Sequence, residues 1–95
     1  MESKGNPPPR FEFDERKSRL NKVKHGIDFI EAQALWLDEA LLEGRGGGAE
    51  EPRFLMIGRI HDKHWSAVIT YRRSSVRLIS VRRARAKEIE AYESQ

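Results

Sequence analysis

The spacing of apolar residues changes along the chain, and each change of period predicts a different element. In "FEFD" (11–14), Phe11 and Phe13 alternate with Glu12 and Asp14, the period-two pattern of a half-buried strand. Asp14 is placed to accept from the free N–H groups of a following first turn. The segment "DERKSRLNKVKHG" (14–26) then reads as a mostly polar helix with one thin apolar stripe, Leu20 and Val23, at i, i+3. Gly26 supplies a left-handed stop, and Lys22, Lys24 and His25 suit the negative end of the helix dipole. "IDFIEAQALW" (27–36) restarts at once. Asp28 and Glu31 have capping-box spacing, Ile27 can staple onto Ala32, and Phe29, Ala32 and Trp36 share a face. Two short helices meeting at the "HGID" corner are the expectation.

Beyond residue 37 the period shortens. A strand is expected at Ala40–Glu43, followed by the glycine-rich loop "GRGGGAEEP", which is too small and polar to pack. "RFLMIGRI" (53–60), "WSAVITYR" (65–72) and "VRLISVR" (76–82) are β-rich runs. The short polar separators "HDKH" and "RSS" indicate antiparallel hairpins. In "RAKEIEAYE" (85–93), Ala86, Ile89 and Tyr92 return to helical spacing. The order β, α, α, β, β, β, β, α predicts an α+β fold, an antiparallel β-sheet with two N-terminal helices and a C-terminal helix packed on it. The opening "MESKGNPPPR" lacks apolar periodicity, so residues 1–10 are expected to be a flexible N-terminal tail and residues 11–95 a single domain.

Composition narrows the function. Of 95 residues, 38% are hydrophobic and 35% charged, enough for a thin core under a heavily charged surface. The formal charge of +3 is uneven: residues 1–51 hold 8 Lys/Arg against 11 Asp/Glu, and residues 52–95 hold 10 against 4. A basic C-terminal half suggests a polyanion or an acidic protein as partner. The absence of cysteine excludes disulfides and Cys-based zinc sites. No apolar run approaches a membrane span or a signal-peptide core, so a cytoplasmic location and no membrane partner are expected.

The candidate chemistry is cationic. "VRLISVRRARAK" (76–87) carries four arginines and one lysine with no acid. Alternation along "FLMIGRI" sets Arg59 in line with Leu55 and Ile57, opposite Phe54, Met56, Gly58 and Ile60. A charge there is paired, solvated in a cleft, or used. Arg77, Ile79 and Val81 are expected to share a face. Arg59, Arg72, Arg77, Arg82, Arg83 and Arg85 could form one continuous patch, and guanidinium forks bind phosphate in bidentate fashion. Lys24 and His25 end the first helix, where histidine can take and give a proton near neutrality. His61 and His64 have too few companions for a zinc site. Trp36 and Trp65 read as core, and "RGGGAEE" lacks the Lys-Ser/Thr of a phosphate-binding loop.

The segments "FEFDERKSRLNKVKHGIDFIEAQALW", "RFLMIGRI" and "RLISVRRARAKEIEAYE" resemble the BrnT family of bacterial toxins, over about residues 11 to 93. Two separated motifs carry the likeness: an F-x-W-D-x-x-K…N-x-x-K-H-G-I-x-F-x-x-A opening and an I-S-x-R-R-A close. Phe13 stands where relatives have tryptophan, and "RRSS" lacks an expected glycine. The resemblance implies a RelE-like fold and a ribonuclease; the basic cluster without metal ligands makes cleavage without a metal or cofactor the expectation. The resemblance further implies neutralisation by a BrnA-like antitoxin in a 2:2 complex, with operator DNA contacted only through that antitoxin. Lys24, His25, Arg59, Arg82 and Arg83 match the motifs and are the catalytic candidates, and Arg72, Arg77 and Arg85 the RNA-binding ones. A non-catalytic nucleic-acid-binding module and a pure antitoxin-binding module would show the same charge.

Overall fold

The structure, a computed structural model, describes residues 8–48 and 50–95. Most of the expected tail, residues 1–7, lies outside the described residues. Eight elements follow: β1 (Arg10–Glu12), α1 (Glu15–His25), a 3₁₀ helix (Glu31–Leu37), β2 (Leu42–Arg45), β3 (Phe54–Ile60), β4 (Lys63–Arg72), β5 (Ser75–Arg83) and α2 (Ala86–Glu93). The α+β class and the hairpins β3–β4 and β4–β5 agree with the sequence reading.

The five strands lie in the order β1-β5-β4-β3-β2. The sheet is mixed rather than purely antiparallel, because β1 pairs in parallel with β5 through Arg10↔Ser75 and Glu12↔Arg77. The intervening chain gives β1 the long crossover that a parallel pair requires. The second expected helix is also different: residues 27–30 are not helical, and only Glu31–Leu37 is, as 3₁₀. The Phe29 N–H donates to Ser18 Oγ at 2.9 Å, which diverts a backbone donor from any α-helical ladder. The caps are as predicted. Asp14 accepts from the N–H of Arg16 at 2.8 Å, Gly26 takes φ 84°, and Glu31 Oε1 accepts the Asp28 N–H while Asp28 Oδ1 accepts the Glu31 N–H.

Strand register separates the sheet into two faces. On the front, Met56, Ala67, Ile69, Leu78 and Val81 meet Ile27, Phe29, Ala32 and Leu35, closing the main core. Phe11 packs edge-on to Trp36, Phe13 packs edge-on to Phe29, and Trp65 is buried. On the back, α2 lies over the end of the sheet that holds His64, Ser66 and Arg82.

Two more expectations require correction. Arg77 pairs with Thr70 and Val81 with Ala67, so they occupy opposite faces. Ile79 is an extra residue in β5, since Val68 pairs with Ser80 and Ile69 with Leu78; this bulge resets the alternation. In α1 the stripe Leu20–Val23 points outward, 60% and 85% exposed, and the buried residues are Ser18 and Asn21. Asn21 brackets the β5 backbone: its Oδ1 accepts the Val81 N–H at 3.2 Å, and its Nδ2 donates to Val81 O at 2.9 Å and to Ile27 O at 2.8 Å. The helix is fastened by hydrogen bonds, so its apolar residues are left facing out.

Candidate active site

β3 carries Arg59 to the end of the sheet that α2 covers, on the back face opposite His64. The side chain is exposed, and among the described residues no carboxylate pairs with its guanidinium. Its backbone is fixed: the Arg59 N–H donates to Asp38 Oδ2 at 2.8 Å, where β2 no longer runs beside β3. The same Asp38 oxygen accepts from the Tyr92 hydroxyl of α2 at 2.6 Å. Partial burial opposes ionisation of Asp38, yet the hydrogen bonds from Tyr92, Arg59 and Ala40 outweigh it and hold the carboxyl below its ordinary range. The bond to Asp38, helped by burial, pushes the Tyr92 phenol up to about 12. Gly58 makes this approach possible. A Cβ there would lie 2.9 Å from a Leu41 methyl, 3.0 Å from a Leu35 methyl and 3.1 Å from Asp38 Oδ2.

Arg59 opens into a cleft of about 440 Å³ lined also by Ala34, Leu37, Asp38, Ile60, His61 and Tyr92. His61 begins the β3–β4 turn at φ 58°, a left-handed conformation uncommon outside glycine. At the other tight turn Arg73 takes φ 48°, so arginine occupies the position where a glycine was expected.

Arg82 lies on the same face but is held. Its Nη1 and Nη2 donate to Glu88 Oε1 and Oε2 at 2.9 and 2.8 Å. Glu88 also accepts from Ser66 Oγ at 2.8 Å and from the Arg85 N–H at 2.9 Å, which starts α2. The Arg82 fork, with support from these other donors, lowers the Glu88 carboxyl to about 2. Arg83, the next residue, faces the front: its guanidinium lies 5.5 Å from the Trp65 ring centroid. The Arg85 side chain is exposed at the start of α2.

Arg72 and Arg77 sit toward the opposite end of the sheet. Arg72 pairs with Glu51 at 2.9 Å and Glu12 at 3.6 Å, and Arg77 with Glu12 at 3.5 Å. Lys24 and His25 line a separate groove of about 210 Å³ between α1 and β5, together with Lys17, Leu20, Asn21, Ile79 and Ser80. The six arginines are therefore distributed over both faces and both ends of the sheet. Arg59 and Arg82 share one face near α2, with His64 and Ser66 between them on β4. Among the described residues there is no group of three or more potential metal ligands of the His, Cys, Asp or Glu type.

Sequence reading missed Asp38, Tyr92, Glu88 and Ser66. Only Glu88 had a local signal, a carboxylate three residues after the residue that opens a helix.

With this geometry in place, the comparison with known families is decisive. A family model described as the ribonuclease toxin BrnT of type II toxin-antitoxin systems matches residues 13–88. The chain belongs to the BrnT family. Membership makes it a ribonuclease toxin by family, and a type II system implies an antitoxin as partner. The BrnT match spans Lys24, His25, Arg59, Arg82, Arg83 and Glu88, and leaves out β1 and the part of α2 beyond Glu88. No curated protein matches the chain.

Proposed function

We propose that the protein is a RelE-like endoribonuclease that cleaves RNA by attack of a 2′-OH on the adjacent phosphate, without a metal. Acting in the cytoplasm, it blocks translation and growth until a BrnA-like antitoxin neutralises it in a 2:2 complex. The antitoxin alone contacts operator DNA. The observation that carries this reading is Arg59, an exposed guanidinium with no described carboxylate partner, in a cleft whose backbone is pinned by Asp38. Such a fork can offset the charge that builds on a five-coordinate phosphate.

Arg82 supplies a second guanidinium on the same face, and its bidentate hold on Glu88 keeps the fork oriented. Arginine does not surrender protons, so proton transfer falls to other groups. Lys24 and His25, which line a separate groove, serve in substrate contact, and His61 shares the Arg59 cleft. Arg83, Arg85, Arg72 and Arg77 contribute longer-range attraction for the RNA backbone.

Purified protein is expected to cut RNA in the presence of a chelator. Arg59→Ala lowers the single-turnover rate by about 100-fold, the size expected for loss of one transition-state donor, with an unchanged melting temperature. Full activity in that folded variant overturns the assignment.

A further inference from the structure

Because α1 is fastened to β5 through Asn21 and to the turn that follows it through Ser18, its apolar residues Leu20 and Val23 are left facing solvent. Leu20 is 60% and Val23 85% exposed, and Ile30, just past the helix, is 65% exposed. A β-branched residue lowers helix propensity relative to alanine, and Val23 recovers nothing by burial. Five cations surround this ridge (Arg16, Lys17, Arg19, Lys22 and Lys24), against one acid within the helix, Glu15. Arg19 lies 3.6 Å from Glu15, and Lys22 is held by Glu31 at 2.9 Å. Among the described residues no carboxylate pairs with Arg16, Lys17 or Lys24.

The ridge continues into a depression. Between α1 and β5 runs the groove of about 210 Å³, with Leu20 and Ile79 as apolar wall and Lys17, Lys24 and His25 at its rim. The volume is below that of a typical small-molecule site and suits one anchoring side chain of a larger partner.

We propose that this ridge and groove are the docking site for an acidic amphipathic helix of the antitoxin. The inference rests on the toxin reading above. An apolar stripe on the partner covers Leu20 and Val23 in the helix-in-groove manner, and its acidic flanks meet Arg16, Lys17 and Lys24. RNA would be drawn by the cations alone and gains little from a bare valine ridge, so the surface fits a protein better. A helix seated here also covers Lys24 and His25, which gives neutralisation by occlusion.

The test uses the full-length toxin and its cognate antitoxin. Val23→Asp is expected to weaken antitoxin binding at least 10-fold by titration calorimetry, while circular dichroism, melting temperature and RNA cleavage by the free toxin stay as in the parent. Val23→Ala, which removes apolar area without adding charge, weakens binding less. In cells, Val23→Asp stays toxic when the antitoxin is co-expressed. Unchanged antitoxin affinity in Val23→Asp overturns the proposal. So does loss of RNA cleavage with antitoxin binding intact, which would assign the ridge to RNA. A parent toxin that binds the antitoxin through Val23 yet never cleaves RNA would instead refute the ribonuclease reading and leave the docking site standing.

Discussion

The two faces of the sheet are closed by different physics. The front is sealed by apolar contact, with Phe29, Ala32 and Leu35 essentially without exposure against Ala67, Ile69 and Val81. The back is held by polar clamps between α2 and the chain beneath it: Arg82 and Ser66 on Glu88, Asp38 on Tyr92, and His64 on Glu93. Apolar packing is non-directional and carries no titratable group. Charge-assisted hydrogen bonds are directional and titratable. The front therefore sets the fold, and the back, where charges are held in fixed orientations, carries the Arg59 cleft of the proposed site.

Substitutions can break this contrast. The largest effect is expected on the front. Leu35→Ala removes a fully buried side chain and should cost about 3–4 kcal/mol in chemical denaturation; a loss below 1 kcal/mol would mean the front is not the source of stability. Next comes the junction of the two faces. Gly58→Ala pushes a methyl into Leu35, Leu41 and the Asp38 carboxylate, and overpacking of this kind costs roughly 1–3 kcal/mol. Because Asp38 also pins Arg59, this variant should lose RNA cleavage beyond its loss of stability, measured on the folded fraction.

On the back, Glu88→Gln should cost roughly 1–2 kcal/mol at pH 7, allowing for solvent screening. The sign follows from the depressed carboxyl. Glu88 ionises at about 2 in the fold and near the ordinary glutamate value when unfolded. Its contribution is complete above that ordinary value and is lost as pH falls toward 2. Melting curves of parent and variant should therefore converge between about pH 4.3 and pH 2. A gap that persists at the acid end would show that Glu88 acts by packing. The smallest effect belongs to Glu93→Gln. This carboxylate is 53% exposed, and its contact with His64 should be worth under about 1 kcal/mol.

What the sequence disclosed followed the reach of its chemistry. Asp14, Gly26 and the Asp28–Glu31 pair act on backbone groups within a turn, so spacing alone placed them. The β3, β4 and β5 runs were legible because alternation and tight turns are local. The parallel partner of β1 was not, since β1 and β5 are linked only by the whole intervening chain. Nor was the bulge at Ile79, which turns Arg77 and Val81 to opposite faces without any glycine or proline to mark it. The inward face of α1 was misread because Ser18 and Asn21 dock through hydrogen bonds, while the apolar periodicity marked the outward face. Of the candidate site, the orientation of Arg59 relative to its apolar neighbours was readable from alternation. Its anchor on Asp38, and the tie from there to Tyr92 fifty-four positions away, was not.

Asp38 and Asn21 also act as blocks against misassembly. Each seats a side chain on backbone atoms where a neighbouring strand runs out, Asp38 beside Arg59 and Asn21 beside Val81. A sheet margin with idle donors and acceptors invites an extended peptide to join it. At these two stretches the positions are already taken, so an intruding segment would first have to evict an aspartate or an asparagine from its own fold.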